Sequence, residues 1–235
     1  ELLTRWRCIK AHGSQVRERW ACHFQNLYHE TRSREEGGFV AHTVKGLEQG
    51  SKPPRLQGLH LTVGVSSTFQ DVPLQVSVRV HASLAQFASY LEGAGDKARE
   101  LAGVTLLIQP IYHFNVGHAM FDGLYPGFAS MVQLGLQDSP FRVYILNGKE
   151  NAVEHMLPGS YDHVSELLGQ IGGLGHLNRS LVDGRKGRGG ATLLHRFDEA
   201  VAGSGTHAQK LDINVNYSLG ACRDLGACRA FRRAA

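Results

Sequence analysis

The apolar and polar positions divide the chain into segments of different period. Leu59-His-Leu-Thr-Val-Gly-Val-Ser and Leu74-Gln-Val-Ser-Val-Arg-Val-His alternate with period two, the pattern of half-buried strands. Between residues 81 and 92 the spacing changes to helical, with Leu84, Phe87, Ala88 and Leu91 on one face. Val104-Thr-Leu-Leu-Ile-Gln-Pro-Ile is a continuous apolar run and predicts a strand covered on both faces. Asn115-Val116-Gly117 reads as a turn. A helix over 118–136 follows, through Met120, Leu124, Phe128, Met131, Val132 and Leu134, with Gly135 near its end. Pro126 predicts a kink or break at Leu124-Tyr125. Phe141-Arg-Val-Tyr-Ile-Leu is the next strand, stopped by Asn147-Gly148, and 160–171 reads as a helix. Strand and helix in this rhythm predict βαβ units and a mainly parallel α/β sheet.

The flanks are less regular. The first fifty residues are charged and broken by Gly and Ser, with two elements standing out, residues 20–28 and Gly38-Phe39-Val40-Ala41-His42. Gly50-Ser-Lys-Pro53-Pro54 reads as a linker. The Gly- and Arg-rich stretch 172–190 reads as an exposed loop. Its Gly184-Arg-Lys-Gly-Arg-Gly-Gly lacks the preceding strand and the Gly-Lys-Ser/Thr ending of a phosphate-binding loop. Residues 191–203 predict a short strand at Thr192-Leu193-Leu194 and then a turn over 197–203, and residues 224–233 a terminal helix. The division expected is an N-terminal extension over 1–55, an α/β domain over 56–205 and a crossover over 206–235.

Composition narrows the class. Hydrophobic residues make up 42% and charged residues 20%, close to globular averages, which excludes a disordered chain or a fibre. The net charge of +4 is too small, and its aromatics too scattered, to argue for nucleic acid. The basic tail, with Arg223, Arg229, Arg232 and Arg233, fits a solvated helix face. No apolar run approaches the ~18 residues of a membrane helix. Cys8, Cys22, Cys222 and Cys228 show no two-residue gap of a zinc knuckle; disulfides and buried thiols both fit them. Glu1 in place of Met, with no charged-then-apolar leader, reads as a fragment or a processed chain.

The densest set of reactive groups is Tyr112-His113-Phe114-Asn115-Val116-Gly117-His118-Ala119-Met120-Phe121-Asp122-Gly123-Leu124-Tyr125-Pro126. It lies where an apolar strand hands over to a helix, and ligands of open α/β sheets bind beyond the strand carboxyl ends. His118 and Asp122 are four apart and share a face on an α-helix. A carboxylate beside an imidazole can act as a general base. The same spacing also suits a helix-capping His or, with His113, a metal site.

The pattern Asn115-x-Gly-His118-x-x-x-Asp122-x-x-x-Pro126 resembles the motif of glycosyltransferase family 61, which includes plant xylan-decorating enzymes and lumenal EGF-domain O-linked GlcNAc transferases. Cys22-His-Phe-Gln-Asn26-Leu-Tyr28 resembles a Cys-x-Phe-x-Asn segment near the start of many members. Phe141-Arg-Val-Tyr-Ile-Leu resembles the family's strand after the motif helix. Arg196-Phe-Asp-Glu-Ala-Val-Ala-Gly203 and Gly220-x-Cys-Arg-Asp224 resemble what comes next. Together these cover the chain from about residue 20 to its end.

The resemblance implies an inverting, nucleotide-sugar-dependent transferase acting on a glycan or glycoprotein hydroxyl. It implies a Rossmann-like three-layer domain, the N-terminal, acceptor-side half of a two-domain GT-B-type enzyme. Asp122 would be the base, with His118 as a second base or the group that orients it. Asn115 and Gly117 would shape the turn for the acceptor. Tyr112 and Tyr125 would stack on sugar rings or fill the core. No resident cofactor or metal is implied, and the nucleotide sugar is a co-substrate. The donor half would follow this region, so residues 1–235 alone are expected to turn over little. The implied compartment is the Golgi or endoplasmic-reticulum lumen, where the sequons Asn178-Arg-Ser180 and Asn216-Tyr-Ser218 would be open to glycosylation. Rival readings are a non-catalytic glycan-binding module and a metal-dependent hydrolase using His113, His118 and Asp122.

Overall fold

The computed structural model describes residues 2–10, 20–31, 37–47, 60–62, 73–94, 98–108, 116–146, 160–177 and 193–203. These form a mixed α/β arrangement. The strands are β1 (Arg5–Lys10), β2 (Trp20–Thr31), β3 (Gly37–Val44), β4 (His60–Thr62), β5 (Pro73–His81), β6 (Ala98–Ile108), β7 (Phe141–Ile145), β8 (Gly173–His176) and β9 (Leu193–Ala202). They make one nine-stranded sheet in the order β4-β5-β3-β2-β9-β6-β7-β8, with β1 paired to β2. β3 and β5, and likewise β9, β6, β7 and β8, pair in parallel, whereas β2 is antiparallel to β1, β3 and β9. β1, β2 and β3 all precede the Pro53-Pro54 pair, yet they belong to the same sheet as the strands after it.

Four helices are described: α1 (Leu84–Ala94), α2 (Val116–His118), α3 (Tyr125–Gln133) and α4 (Ser160–Gly172). Ser83 starts α1, its Oγ accepting the Gln86 N–H at 3.1 Å while the Gln86 side chain takes the Ala82 N–H at 2.6 Å. This is a variant of the capping box, in which the Gln86 side chain reaches the residue before the N-cap rather than the N-cap's own N–H. Of the four residues expected to face the core, Phe87 is buried, Leu91 is half-buried, and Leu84 and Ala88 are exposed.

The helix expected over 118–136 is a rod of α2, a π-helical segment (Ala119–Leu124) and α3. The break expected at Leu124-Tyr125 is the junction between the π segment and α3. Pro126 follows directly on the helical Leu124-Tyr125 junction, so its missing N–H interrupts the hydrogen-bond ladder of the rod where the π segment passes into α3. Gly135 ends the rod at φ +76°, with the Leu136 N–H returning to the Met131 carbonyl at 2.8 Å.

Three expectations are corrected. Residues 197–203 are not a turn: β9 runs unbroken from Leu193 to Ala202 between β2 and β6. Gly173–His176, expected within a loop, is β8, parallel to β7. Arg5–Lys10, where no element is predicted within the N-terminal extension, is β1. The predicted helix over 224–233 and most of the predicted loop over 172–190 lie outside the described residues.

Register assigns the helices to opposite faces. Tyr28 stands opposite Val40 and Arg196, so these share a face, and His42 belongs to it by alternation. α1 covers that face through Phe87 and Tyr90. Leu106 stands opposite Val201 on the other face, and there α3 packs: a Cβ on Gly127 would meet the Leu106 and Ile108 methyl groups at 3.0–3.1 Å. No helix among the described residues is long and apolar enough to cross a membrane.

Candidate functional site

β6 is buried from Val104 to Ile108, as the apolar run demands. The rod seats on the carboxyl ends of β6 and β9. Gly127 lies against Leu106 and Ile108, and the Ser130 hydroxyl donates to the Gly203 carbonyl at 3.0 Å. His118 closes α2, Asp122 lies in the π segment, and Tyr125 opens α3, half-buried. Gly117 is exposed in α2. Gly117, His118, Asp122 and Tyr125 therefore belong to one rod at the end of one buried strand. Asn115, Tyr112 and His113 lie outside the described residues. The four-residue spacing of His118 and Asp122 spans a change of helix type. In the π segment the hydrogen bonds run five residues along the chain rather than four, so α-helical spacing does not carry through Asp122.

The segments 22–28 and 196–203, far apart in sequence, are adjacent strands. Tyr28 pairs with Arg196, Leu27 with Phe197 and Cys22 with Ala202. Asn26 holds a left-handed backbone, φ 54°, which Asn tolerates better than most side chains. Its Oδ1 accepts from Arg196 Nη1 at 2.5 Å and its Nδ2 donates to the Leu3 carbonyl at 3.2 Å. Arg196 also pairs with Glu100 at 2.6 Å. The Thr4 hydroxyl donates to the Asn26 carbonyl at 2.6 Å, and the Tyr28 hydroxyl to the Leu2 carbonyl at 2.8 Å. Burial pushes the Tyr28 phenol up to about 12. These side chains bind residues 2–4 to the sheet, a structural task.

Sequence reasoning missed a buried ionic cluster beneath α1. Glu30 from β2 accepts both guanidinium nitrogens of Arg79 on β5, at 2.7 and 2.9 Å. It also accepts the Tyr90 hydroxyl of α1 and faces His42 Nε2 at 3.2 Å. His42 Nδ1 meets His81 Nε2 at 2.9 Å. Glu30 is 3% exposed, His42 0% and His81 5%. The Arg79 guanidinium lies 4.9 Å from the Tyr90 ring centre. The signal in the sequence was phase. Arg79 and His81 occupy the alternate positions of β5 to those of Val76 and Val78, where an exposed face would be expected. Instead α1 lies over them. So deep a cluster offers no room for substrate. Among the described residues no group of three His, Cys, Asp or Glu side chains is arranged to hold a metal ion.

The chain matches no protein-family model and no curated protein.

Proposed function

We propose that the chain is the acceptor-side, Rossmann-like part of an inverting glycosyltransferase similar to family 61. The carrying observation is the strand-to-helix junction. A buried parallel strand, β6, leads to a rod in which Asp122 sits within a π-helical segment. π turns concentrate at functional sites, and the crevice beyond parallel strand ends is where α/β sheets bind ligands. In this reading the Asp122 carboxylate removes the proton from the attacking glycan or glycoprotein hydroxyl as the nucleotide leaves from the opposite face of the sugar. His118 orients or tunes that carboxylate. Asn115 and Gly117 let the acceptor approach the backbone, and Tyr112 and Tyr125 flank the sugar. The donor is held by a facing domain, as in GT-B enzymes. The Cys8–Cys22 disulfide between β1 and β2 supports work in an oxidising lumen, the Golgi or endoplasmic reticulum.

The test is nucleotide release by the full-length protein with a panel of nucleotide sugars and of glycan and glycoprotein acceptors. Asp122→Asn is expected to lower turnover about 10²–10⁴-fold, the usual contribution of a general base, with its thermal midpoint unchanged. His118→Asn is expected to lower it less and to move the acid limb of the pH profile. Full turnover by Asp122→Asn, or no release from any donor by the parent protein, removes this reading.

A further inference from the structure

The cluster beneath α1 has one proton arrangement that satisfies its contacts with neutral rings. His42 donates from Nε2 to Glu30 and accepts at Nδ1 from the Nε2–H of His81. Glu30 is already neutralised by the two-pronged Arg79 guanidinium. Within this cluster of described residues no second anion balances a further proton. A proton on His42 turns it into an imidazolium held between the Glu30 carboxylate and the Nε2 of a His81 that has changed tautomer, a second cation on one carboxylate. Whichever of the two buried rings holds the extra proton, the cluster then carries two cations, the imidazolium and Arg79, on the single carboxylate of Glu30. Around this chain stand Tyr28 and Glu30 from β2, Arg79 from β5, Tyr90 and Phe87 from α1, and the Thr4 hydroxyl, which accepts the His42 backbone N–H at 2.9 Å. Lys45 follows β3, and its backbone N–H donates to the His81 carbonyl at 2.9 Å. The lid over the cluster is α1, whose Phe87 and Tyr90 rings lie 5.1–5.6 Å from the two imidazoles.

We propose that the Glu30–His42–His81 chain is a proton-operated latch that holds α1 on the sheet at neutral pH and releases it in mildly acidic surroundings. Opening α1 is the least costly response to the extra proton, because it admits water to the imidazolium while leaving the sheet hydrogen bonds intact. Burial, and then the neighbouring His42, hold the His81 ring below its ordinary range, in keeping with this direction.

The experiment is hydrogen exchange of the whole chain, read by mass spectrometry at pH 7.5, 6.0 and 5.0 and corrected for the intrinsic exchange rate. Peptides from α1 are expected to lose about tenfold in protection between pH 7.5 and 5.0, while α3 peptides hold theirs, since each pH unit below the ordinary imidazole value of the opened state is a factor of ten until the closed state itself takes the proton. His81→Gln removes one of the two rings that can take the proton, and its loss of α1 protection with falling pH is expected to be clearly smaller than the parent's. The proposal is overturned if α1 in the parent protein keeps its protection at pH 5.0, or loses it only together with α3. It is equally overturned if His81→Gln loses α1 protection as the parent does. Should that variant not fold, the comparison of α1 with α3 in the parent chain decides alone.

Discussion

Glu30 takes hydrogen bonds from Arg79, Tyr90 and His42 in a site closed by α1. Removing one partner of such a pair leaves the other charge poorly solvated, which costs more than the pair itself contributes. Glu30→Gln is therefore expected to destabilise by about 3 kcal/mol, the low end for a buried pair because Arg79 keeps some solvent contact. Adding Arg79→Met should recover part of that loss, as read from urea midpoints of the single and double variants. pH acts on the same scale. Burial lowers His81, with His42 as the next cause, and burial lowers His195, with Arg99 next. Below the ordinary imidazole range the unfolded chain binds these protons more readily than the folded one. Their contribution to stability is thus present above that range and is lost as pH falls through it. Urea midpoints should drop between pH 7.5 and 5.5, and the drop should shrink in His195→Gln. Tyr28 works in the opposite sense. Its phenol ionises near 10 when unfolded and at about 12 when folded, so its stabilisation holds below 10 and fades as pH rises toward 12. Tyr28→Phe should flatten the alkaline limb and cost about 1 kcal/mol at neutral pH for the lost bond to the Leu2 carbonyl.

Among the elements, those with their own apolar rhythm were legible. β5, β7 and α4 lie where the pattern put them to within a residue or so, because each buries side chains at a period its own sequence displays, whereas β6 starts at Ala98, six residues before its apolar run. β9 was not legible. It crosses the sheet centre carrying Arg196, Asp198 and Glu199, which look like turn residues until their partners are known. Those partners are Glu100, Asn26, His23 and the Gly103 N–H, all distant in sequence. β1 hid for the same reason, since Arg7 finds the Leu134 carbonyl at the end of α3. β8 hid because Gly173 and Gly175 signal a loop, and both do take positive φ. Beside β8 the need for glycine is steric. A Cβ on Gly172 would sit 2.2 Å from the Phe141 carbonyl oxygen, and one on Gly169 2.5 Å from the Gly175 backbone. Neither neighbour can move without disturbing the β7–β8 pairing. Gly172→Ala should therefore push α4 off the sheet edge and destabilise by at least the ~1–3 kcal/mol of an overpacked core. Gly93→Ala is the control. In α1 a Cβ at that position meets nothing within 4 Å, so this substitution should be neutral or slightly stabilising. Equal effects on the urea midpoint at the two positions would remove the close-approach argument.

At the scale of the whole molecule, the chain before the Pro-Pro pair and the chain after it form a single sheet whose seam is the β2–β9 ladder. Along the opposite edge of β2, β1 pairs with residues 20–25 and β3 with residues 28–31. Residues 2–4 enter where the two meet, with the Thr4 N–H donating to the His42 carbonyl at 2.9 Å. The outer side of this joint is fastened by Cys8–Cys22, directly opposite one another in the ladder. A cross-link over 14 residues removes loop-closure entropy from the unfolded chain worth about 3 kcal/mol. β1 also brings Arg7 to the end of α3 and leads from the segment bound by Asn26 and Tyr28, so its loss should be felt at both faces. Cys8→Ser/Cys22→Ser is accordingly expected to lower stability by about 3 kcal/mol and to expose β1 to proteolysis ahead of β5–β7. Reduction of the parent protein should reproduce the shift, and the double variant should be indifferent to reductant. If reductant leaves the parent's urea midpoint in place, the two sulfurs contribute nothing to the joint and β1 is held by its ladder alone.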